Sequence, residues 1–247
     1  MTRRCMHRVM RSFVIHMSSS TARRPNAETL VEQLPDAELI EAVNGRDPAE
    51  IADVQCHPGN LFKPHYPFAL RPAEIGVFQS HRRIWRKLVD DKIDLAIITE
   101  DDLAIDPDRF SQTLDLLQDH ATVDSYIRLP VKQRERPAQV VAEKGDLKLI
   151  LPKVIGLQCI CQVVGREAAR RLLAVTDQID RPVDTLLQMH WVTGQPVHAV
   201  LGAGNREVAS QIGGSTIQTK IRPSGKLGRE CKRGVYRAQL ALRPQKP

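Results

Sequence analysis

Aromatic residues are scarce in this chain, and long apolar runs are missing. Phe, Trp and Tyr make up only 4% of the 247 residues, too thin a supply of stacking faces for a protein that grips single-stranded nucleic acid. The apolar runs are strand-length, whereas a membrane-crossing helix needs roughly 18–20 apolar residues in a row. The basic N-terminus offers only Ser12-Phe13-Val14-Ile15 before His16. A signal peptide needs roughly 7–15 apolar residues, so none is expected. The five cysteines (Cys5, Cys56, Cys159, Cys161 and Cys231) are odd in number and include no CxxC pair. That pattern argues against a disulfide framework and for reduced, mostly buried thiols in a cytosolic protein. No internal repeat is evident.

Acids are also absent from residues 1–24, which carry six arginines. At the other end, residues 220–247 hold nine Lys and Arg against Glu230 alone. With a total of +7, ends worth +6 and +8 leave −7 on residues 25–219. The centre is therefore acidic and the ends are basic. Basic ends suit an anionic surface through long-range attraction, or are simply solvated. With so few aromatics, nucleic acid is not expected as a partner; peripheral contact with an anionic membrane is the partner these ends suggest.

What is present is ordinary globular material: 42% hydrophobic and 26% charged residues, in a length that suits one large α/β domain or two small ones. Residues 13–17, 39–43, 125–129, 157–164 and 196–201 read as strands, and 139–141 with 147–151 as a hairpin turning at Gly145. Helices are expected over 27–34, 72–91, 108–119, 166–175 and 184–192, with Pro72 and Pro107 at two of the starts. Residues 53–70, with Pro58, Gly59, Pro64 and Pro67, read as a long loop. Strands alternating with helices predict an α/β fold with a mainly parallel sheet and flanking helices. The expected division is a basic extension at 1–11, one domain over 12–217, and a poorly ordered basic tail at 218–247.

One stretch stands apart. DLAIITEDDLAI, residues 94–105, sets three acids directly after a β-branched run. Leu95 to Ile98 read as a strand packed on both faces, where an unpaired carboxylate is costly. At the C-terminal mouth of such a strand acids are tolerated, and open α/β sheets bind their ligands there. Glu100 and Asp102 fall on one side if the strand alternation persists. Such a pair suits a hard divalent cation, Mn2+ or Mg2+, completed by substrate phosphates; an acidic turn capping the next segment is the plain alternative.

Residues 72–110, PAEIGVFQSHRRIWRKLVDDKIDLAIITEDDLAIDPDRF, closely resemble the core of glycosyltransferase family 25. This family includes bacterial lipooligosaccharide galactosyltransferases and collagen hydroxylysine galactosyltransferases. Its pattern is a Glu-Ile-Gly turn, a Ser-His pair on a helix, and a strand ending in Glu-Asp-Asp. Glu74-Ile75-Gly76, Ser80-His81 and Glu100-Asp101-Asp102 stand in those places. SFVIHMSSSTARR and GLQCICQVVGREAARRLL, the latter followed by RPVDTLL, resemble the flanking family segments. His16 replaces an Asn, Val77 a common Cys and Gln162 a common Tyr.

The resemblance implies a GT-A-type nucleotide-sugar-binding fold. The implied activity is metal-dependent inverting transfer of a sugar, galactose by preference, from a UDP-sugar to a bacterial surface glycan or glycolipid such as lipooligosaccharide. Asp102 and Glu100 would hold Mn2+ or Mg2+. Glu100, Asp101, Ser80, His81 and Arg23 would contact the donor, and Asp184 in Pro182-Val183-Asp184 would be the general base. The implied location is cytoplasmic, peripheral to the inner membrane. For several of these residues a second reading stays open: Asp184 as a helix N-cap, Ser80 and His81 as packing for their helix, Arg23 and Arg24 as an exposed helix start. A catalytically inactive GT-A-fold binding protein is the alternative for the whole chain.

Overall fold

The computed structural model describes residues 10–213 and 226–247. The first half runs β1 (Arg11–His16), α1 (Arg24–Gln33), β2 (Ala37–Glu41), α2 (Pro48–Ile51), β3 (Gln55–Cys56), α3 (Pro72–Asp90), β4 (Leu95–Glu100), β5 (Leu103–Ala104) and α4 (Pro107–Gln118). The second half runs β6 (Tyr126–Arg128), β7 (Pro137–Lys144), β8 (Leu147–Pro152), β9 (Cys161–Gly165), α5 (Arg166–Ala174), β10 (Gln178–Ile179), α6 (Val183–Leu187), α7 (His190–Thr193), β11 (His198–Leu201), β12 (Arg206–Glu207) and α8 (Lys226–Ala241).

Eight strands form the central sheet in the order β2-β1-β4-β9-β6-β11-β8-β7. Six run the same way, and β8 and β9 run against them. The fold is therefore α/β, with most sheet strands aligned and helices on both faces. The reversal of β9 leaves β4 flanked by a parallel neighbour, β1, and an antiparallel one.

The two-faced burial expected of β4 is observed. Leu95 and Ile97 join one apolar layer with Ala27, Leu30, Phe110 and Leu117 of α1 and α4. Ala96 and Ile98 join the opposite layer with Phe78, Trp85, Leu172 and Leu186 of α3, α5 and α6. Burying a large apolar side chain stabilises by roughly 1.5–3 kcal/mol. Two such layers fix β4 from both sides, so the acids after it start from a rigid base.

Several sequence expectations are corrected. The helix expected from Pro72 is observed as α3, and Glu74-Ile75-Gly76, which stands where the family pattern has a turn, lies in its opening: Glu74 accepts the backbone N–H of Arg71 at 2.8 Å and closes the helix start. Gly76 lets the loop after β2 approach, since a Cβ there would lie 2.6 Å from the Gly45 nitrogen and the Val43 oxygen. The strand expected from 157 begins only at Cys161, because Gln158 adopts φ 79° and breaks the run. The helix expected over 184–192 is two short ones, α6 and α7, parted at Gln188-Met189. Half of the four described thiols are exposed, Cys56 and Cys231, against the expectation of mostly buried ones.

The expected basic tail is partly a helix. Residues 1–9 of the N-terminal extension and 218–225 of the tail lie outside the described residues, but α8 packs Tyr236 and Leu240 onto Met189 and Trp191. Its inward stripe is only two residues wide, at i and i+4, and the arginines around it conceal the pattern. Among the described residues no helix is long and apolar enough to cross a membrane.

Candidate active site

The site is built from the ends of three neighbouring strands. His16 closes β1, Glu41 closes β2, and Glu100 closes β4, with Ile15 opposite Glu100 in the ladder. Asp101 and Asp102 follow in a turn before β5, which pairs antiparallel with β12.

The three acids have separate tasks. Asp101 is buried, with one oxygen 2.8 Å from His16 Nδ1 and the other accepting from Arg23 Nη1 at 2.7 Å. Asn26 donates to the Asp101 and Leu103 carbonyls at 2.7 and 2.8 Å. Asp101 therefore ties β1 and the start of α1 to the acidic turn. Both of its carboxylate oxygens have protein partners, and the residue borders the first cleft.

Asp102 is held differently. One oxygen lies 3.2 Å from Arg23 Nη2, while Oδ1 is buried and without a hydrogen-bond partner among the described residues. Burial, reinforced by the charge of Glu100, pushes its carboxyl up to about 7. An orphaned carboxylate oxygen beside a second carboxylate is a poor arrangement for stability and a good one for a cation. Among the described residues no group of three or more His, Cys, Asp or Glu is arranged to hold a metal ion. Mg2+-like ions in phosphate-bound sites take only one or two protein carboxylates, the number that Glu100 and Asp102 could offer.

His81 stands behind Glu100. The imidazole is fully buried, and its Nδ1 lies 3.4 Å from the Gln162 amide nitrogen. A donating amide leaves the ring proton on Nε2, which faces Glu100 Oε1 at 3.6 Å, too long for a hydrogen bond. Gln162, the departure on β9, thus has a local reason: it orients the ring behind the acid. Ser80 accepts from Val43 N–H at 2.9 Å and donates to the Gly76 carbonyl at 2.8 Å. It fastens the loop after β2 to α3 and is nearly unexposed. Arg23, expected at an exposed helix start or on the donor, is buried and bridges Asp101 and Asp102.

Two clefts meet at the acids. The first is lined by Ile15, Arg23, Asn44, Gly45, Arg46 and His81, among others, at the C-terminal ends of β1, β2 and β4. The second contains Tyr66, Arg71, Glu74, Gln158, Asp184 and Glu207. Val77, Glu100 and Asp102 line both. Asp184 is thus brought to the same cleft system as the acidic pair.

Asp184 lies in the first turn of α6, whose N-cap is Pro182, so the helix-cap reading is corrected. Its Oδ2 accepts the backbone N–H of Gln158 at 3.1 Å. Gln158 is held in turn by Arg128, buried on β6, whose guanidinium donates to the Leu157 and Gln158 carbonyls and pairs with Glu135. Sequence reasoning missed Gln158, Tyr66 and Glu207. Tyr66 keeps its proton, since burial and then the charges of Glu74 and Asp184 push its hydroxyl well above the usual range. Glu207 accepts from the Gln158 side chain at 3.2 Å. Only the isolated φ of 79° at Gln158, a non-glycine residue, marks that loop as constrained.

A sheet whose strand ends present paired acids between two clefts defines a ligand-handling α/β protein of the kind that binds at strand C-termini. Comparison with known proteins narrows this. The model of "Glycosyltransferase family 25 (LPS biosynthesis protein)" matches residues 10–187, and the chain belongs to that family. Procollagen galactosyltransferase 2 of Homo sapiens is 27% identical over 184 residues, covering 67% of this chain and 29% of that protein. A glycosyltransferase 25 family member of Drosophila melanogaster is 25% identical over 201 residues, covering 75% and 32% respectively. The chain thus matches about a third or less of the length of these relatives.

Proposed function

We propose that this chain is a metal-dependent, inverting glycosyltransferase that moves a sugar, galactose by preference, from a UDP-sugar to a glycan or glycolipid acceptor. The observation that carries the reading is Asp102 Oδ1, buried beside Glu100 where the two clefts meet and without a hydrogen-bond partner among the described residues. Family membership and the galactosyltransferase names of the relatives support the same chemistry. A bacterial surface glycan such as lipooligosaccharide is the acceptor class the family description suggests.

In this reading the donor nucleotide lies in the first cleft and the acceptor in the second. Glu100 and Asp102 would hold Mn2+ or Mg2+ beside the donor. The cation, when bound, stabilises the negative charge that grows on the departing UDP. Arg23 steadies Asp102, and His81, set by Gln162, backs Glu100. Asp184, fixed through Gln158, accepts the proton of the acceptor hydroxyl as that oxygen attacks the sugar from the face opposite UDP. A carboxylate general base typically contributes 10²–10⁴-fold to rate. The basic ends favour a position at the cytoplasmic face of an anionic membrane.

The test pairs binding with turnover. UDP-galactose with Mn2+ should raise the melting temperature, because a ligand that binds only the folded state stabilises it by mass action. Asp102→Asn should remove the Mn2+ dependence while the unliganded fold survives. Unchanged Mn2+-dependent UDP affinity in that variant, measured by calorimetry, would sink the metal assignment. Donor binding without hydrolysis or transfer to any acceptor would leave the chain an inactive binding protein.

A further inference from the structure

Part of the second cleft comes from outside the family-matched residues. The match ends at residue 187, whereas α8 begins at Lys226 and places Arg233 and Arg237 on the wall that also holds Asp184. The helix is firmly seated there. Tyr236 accepts from the buried Arg181 at 3.0 Å and meets the Tyr66 ring edge-on at 5.6 Å. Beyond the helix, Gln245 hydrogen-bonds the Pro152 and Val197 carbonyls at 2.9 and 3.0 Å, which pins the segment to the sheet.

Residues 236 and 240 face inward, and 233 and 237, one step around the helix, border the cleft. Their i,i+4 spacing sets the two guanidinium groups side by side. Arg233 lies over the Phe68 ring at 5.7 Å and pairs with Glu230 on its own helix. Arg237 makes no ion pair or hydrogen bond among the described residues. Three carboxylates of the cleft have other partners: Glu74 pairs with Arg71, Glu207 accepts from the Gln158 side chain, and Asp184 from the Gln158 N–H, while Glu100 and Asp102 lie where the two clefts meet. Neither arginine forms an ion pair with a carboxylate of the cleft among the described residues, since Arg233 pairs with Glu230 outside it.

We propose that Arg233 and Arg237 form a subsite for an oxyanion, phosphate or carboxylate, carried by the acceptor glycan. The acceptor class is then an acidic sugar rather than a neutral one. The inference rests on the reading that this cleft takes the acceptor. Guanidinium groups suit the role because their planar forks match carboxylate and phosphate oxygens two at a time. The placement also favours a soluble glycan group over a membrane headgroup: Arg233, half-buried, and Arg237, exposed, both line the cleft, whereas the exposed Lys232 of the same helix does not.

The experiment compares wild type with Arg233→Gln, Arg237→Gln, the double variant, and Lys232→Gln as a charge-matched control. Glucose 6-phosphate and methyl glucuronide are titrated against methyl glucoside by calorimetry, with UDP affinity measured in parallel. Wild type and Lys232→Gln should prefer the acidic sugars, and each cleft substitution should weaken that preference by about tenfold, as expected for a charged hydrogen bond. UDP affinity should not change. Equal affinity of wild type for acidic and neutral sugars overturns the proposal. So does a double variant that keeps the sugar preference but loses affinity for phosphatidylglycerol vesicles, which would assign the arginines to a membrane. If UDP fails to bind wild type, the glycosyltransferase reading falls, while the sugar preference is still read independently.

Discussion

In the proposed mechanism, Asp184 and Glu207 are rivals for one proton. Both open onto the second cleft, and Gln158 touches both, through its backbone and its side chain. Asp184→Asn preserves the shape that accepts the Gln158 N–H and removes basicity. Transfer should fall by at least about a hundredfold with UDP affinity nearly unchanged. Glu207→Gln should cost only a few-fold. The opposite ranking in single-turnover transfer would hand the base role to Glu207. Asp102 carries a second residue-scale test, in pH. Its carboxyl, raised to about 7 first by burial and then by the Glu100 charge, compares with about 3.9 in an unfolded chain. The fold thus favours the protonated form, a contribution fully present below about pH 4 and lost as pH rises through about 7. Without divalent metal, Asp102→Asn should gain stability relative to wild type between pH 4 and 8, read from denaturant midpoints. A pH-independent difference would mean that Asp102 is not the titrating group.

Among the elements, legibility tracked how local the cause was. β4 was readable because Leu95 to Ile98 are apolar on both faces, and α3 because Pro72 opens it and Phe78, Ile84, Trp85 and Leu88 share a side. The acidic pair was readable because it follows that strand directly. The loop before β9 was not, since Arg128 from another strand imposes the Gln158 conformation. Nor was α8, whose place depends on Arg181, a residue 45 positions before the helix starts. Arg181 is fully buried with Asp180, and donates to the Phe62 and Pro64 carbonyls as well as to Tyr236. Arg181→Met would strand the Asp180 charge in the interior. A broken buried pair of this kind costs about 3–5 kcal/mol. Tyr236→Phe, which removes a single hydrogen bond, should cost about 1 kcal/mol. Chemical denaturation separates the two; similar losses would show that the pair is already solvated.

At the scale of the whole molecule, the charge division acquires a geometry. The acidic centre meets basic side chains of α8 at the cleft, so the C-terminal segment is both surface and wall. Membrane attraction is best tested with basic residues outside α8 in the sequence. Lys220, Arg222 and Lys246 changed together to Gln should weaken binding to anionic vesicles, since each basic residue near such a surface contributes roughly 1 kcal/mol. Turnover of a soluble acceptor should hold. Vesicle binding that survives the triple change would rule out a peripheral role for this end.

The hold of Arg128 on the Leu157 and Gln158 carbonyls has a consequence for how this protein can change. The loop takes its path from a side chain on another strand, so its own side chains are released from specifying that path. Leu157, which is 40% exposed and lines the second cleft, is then open to variation at little risk to the fold. On the proposed reading of this cleft as the acceptor site, new acceptor preferences can arise at this position by single substitutions, and a library at residue 157 would sample them while Arg128 keeps Asp184 in place.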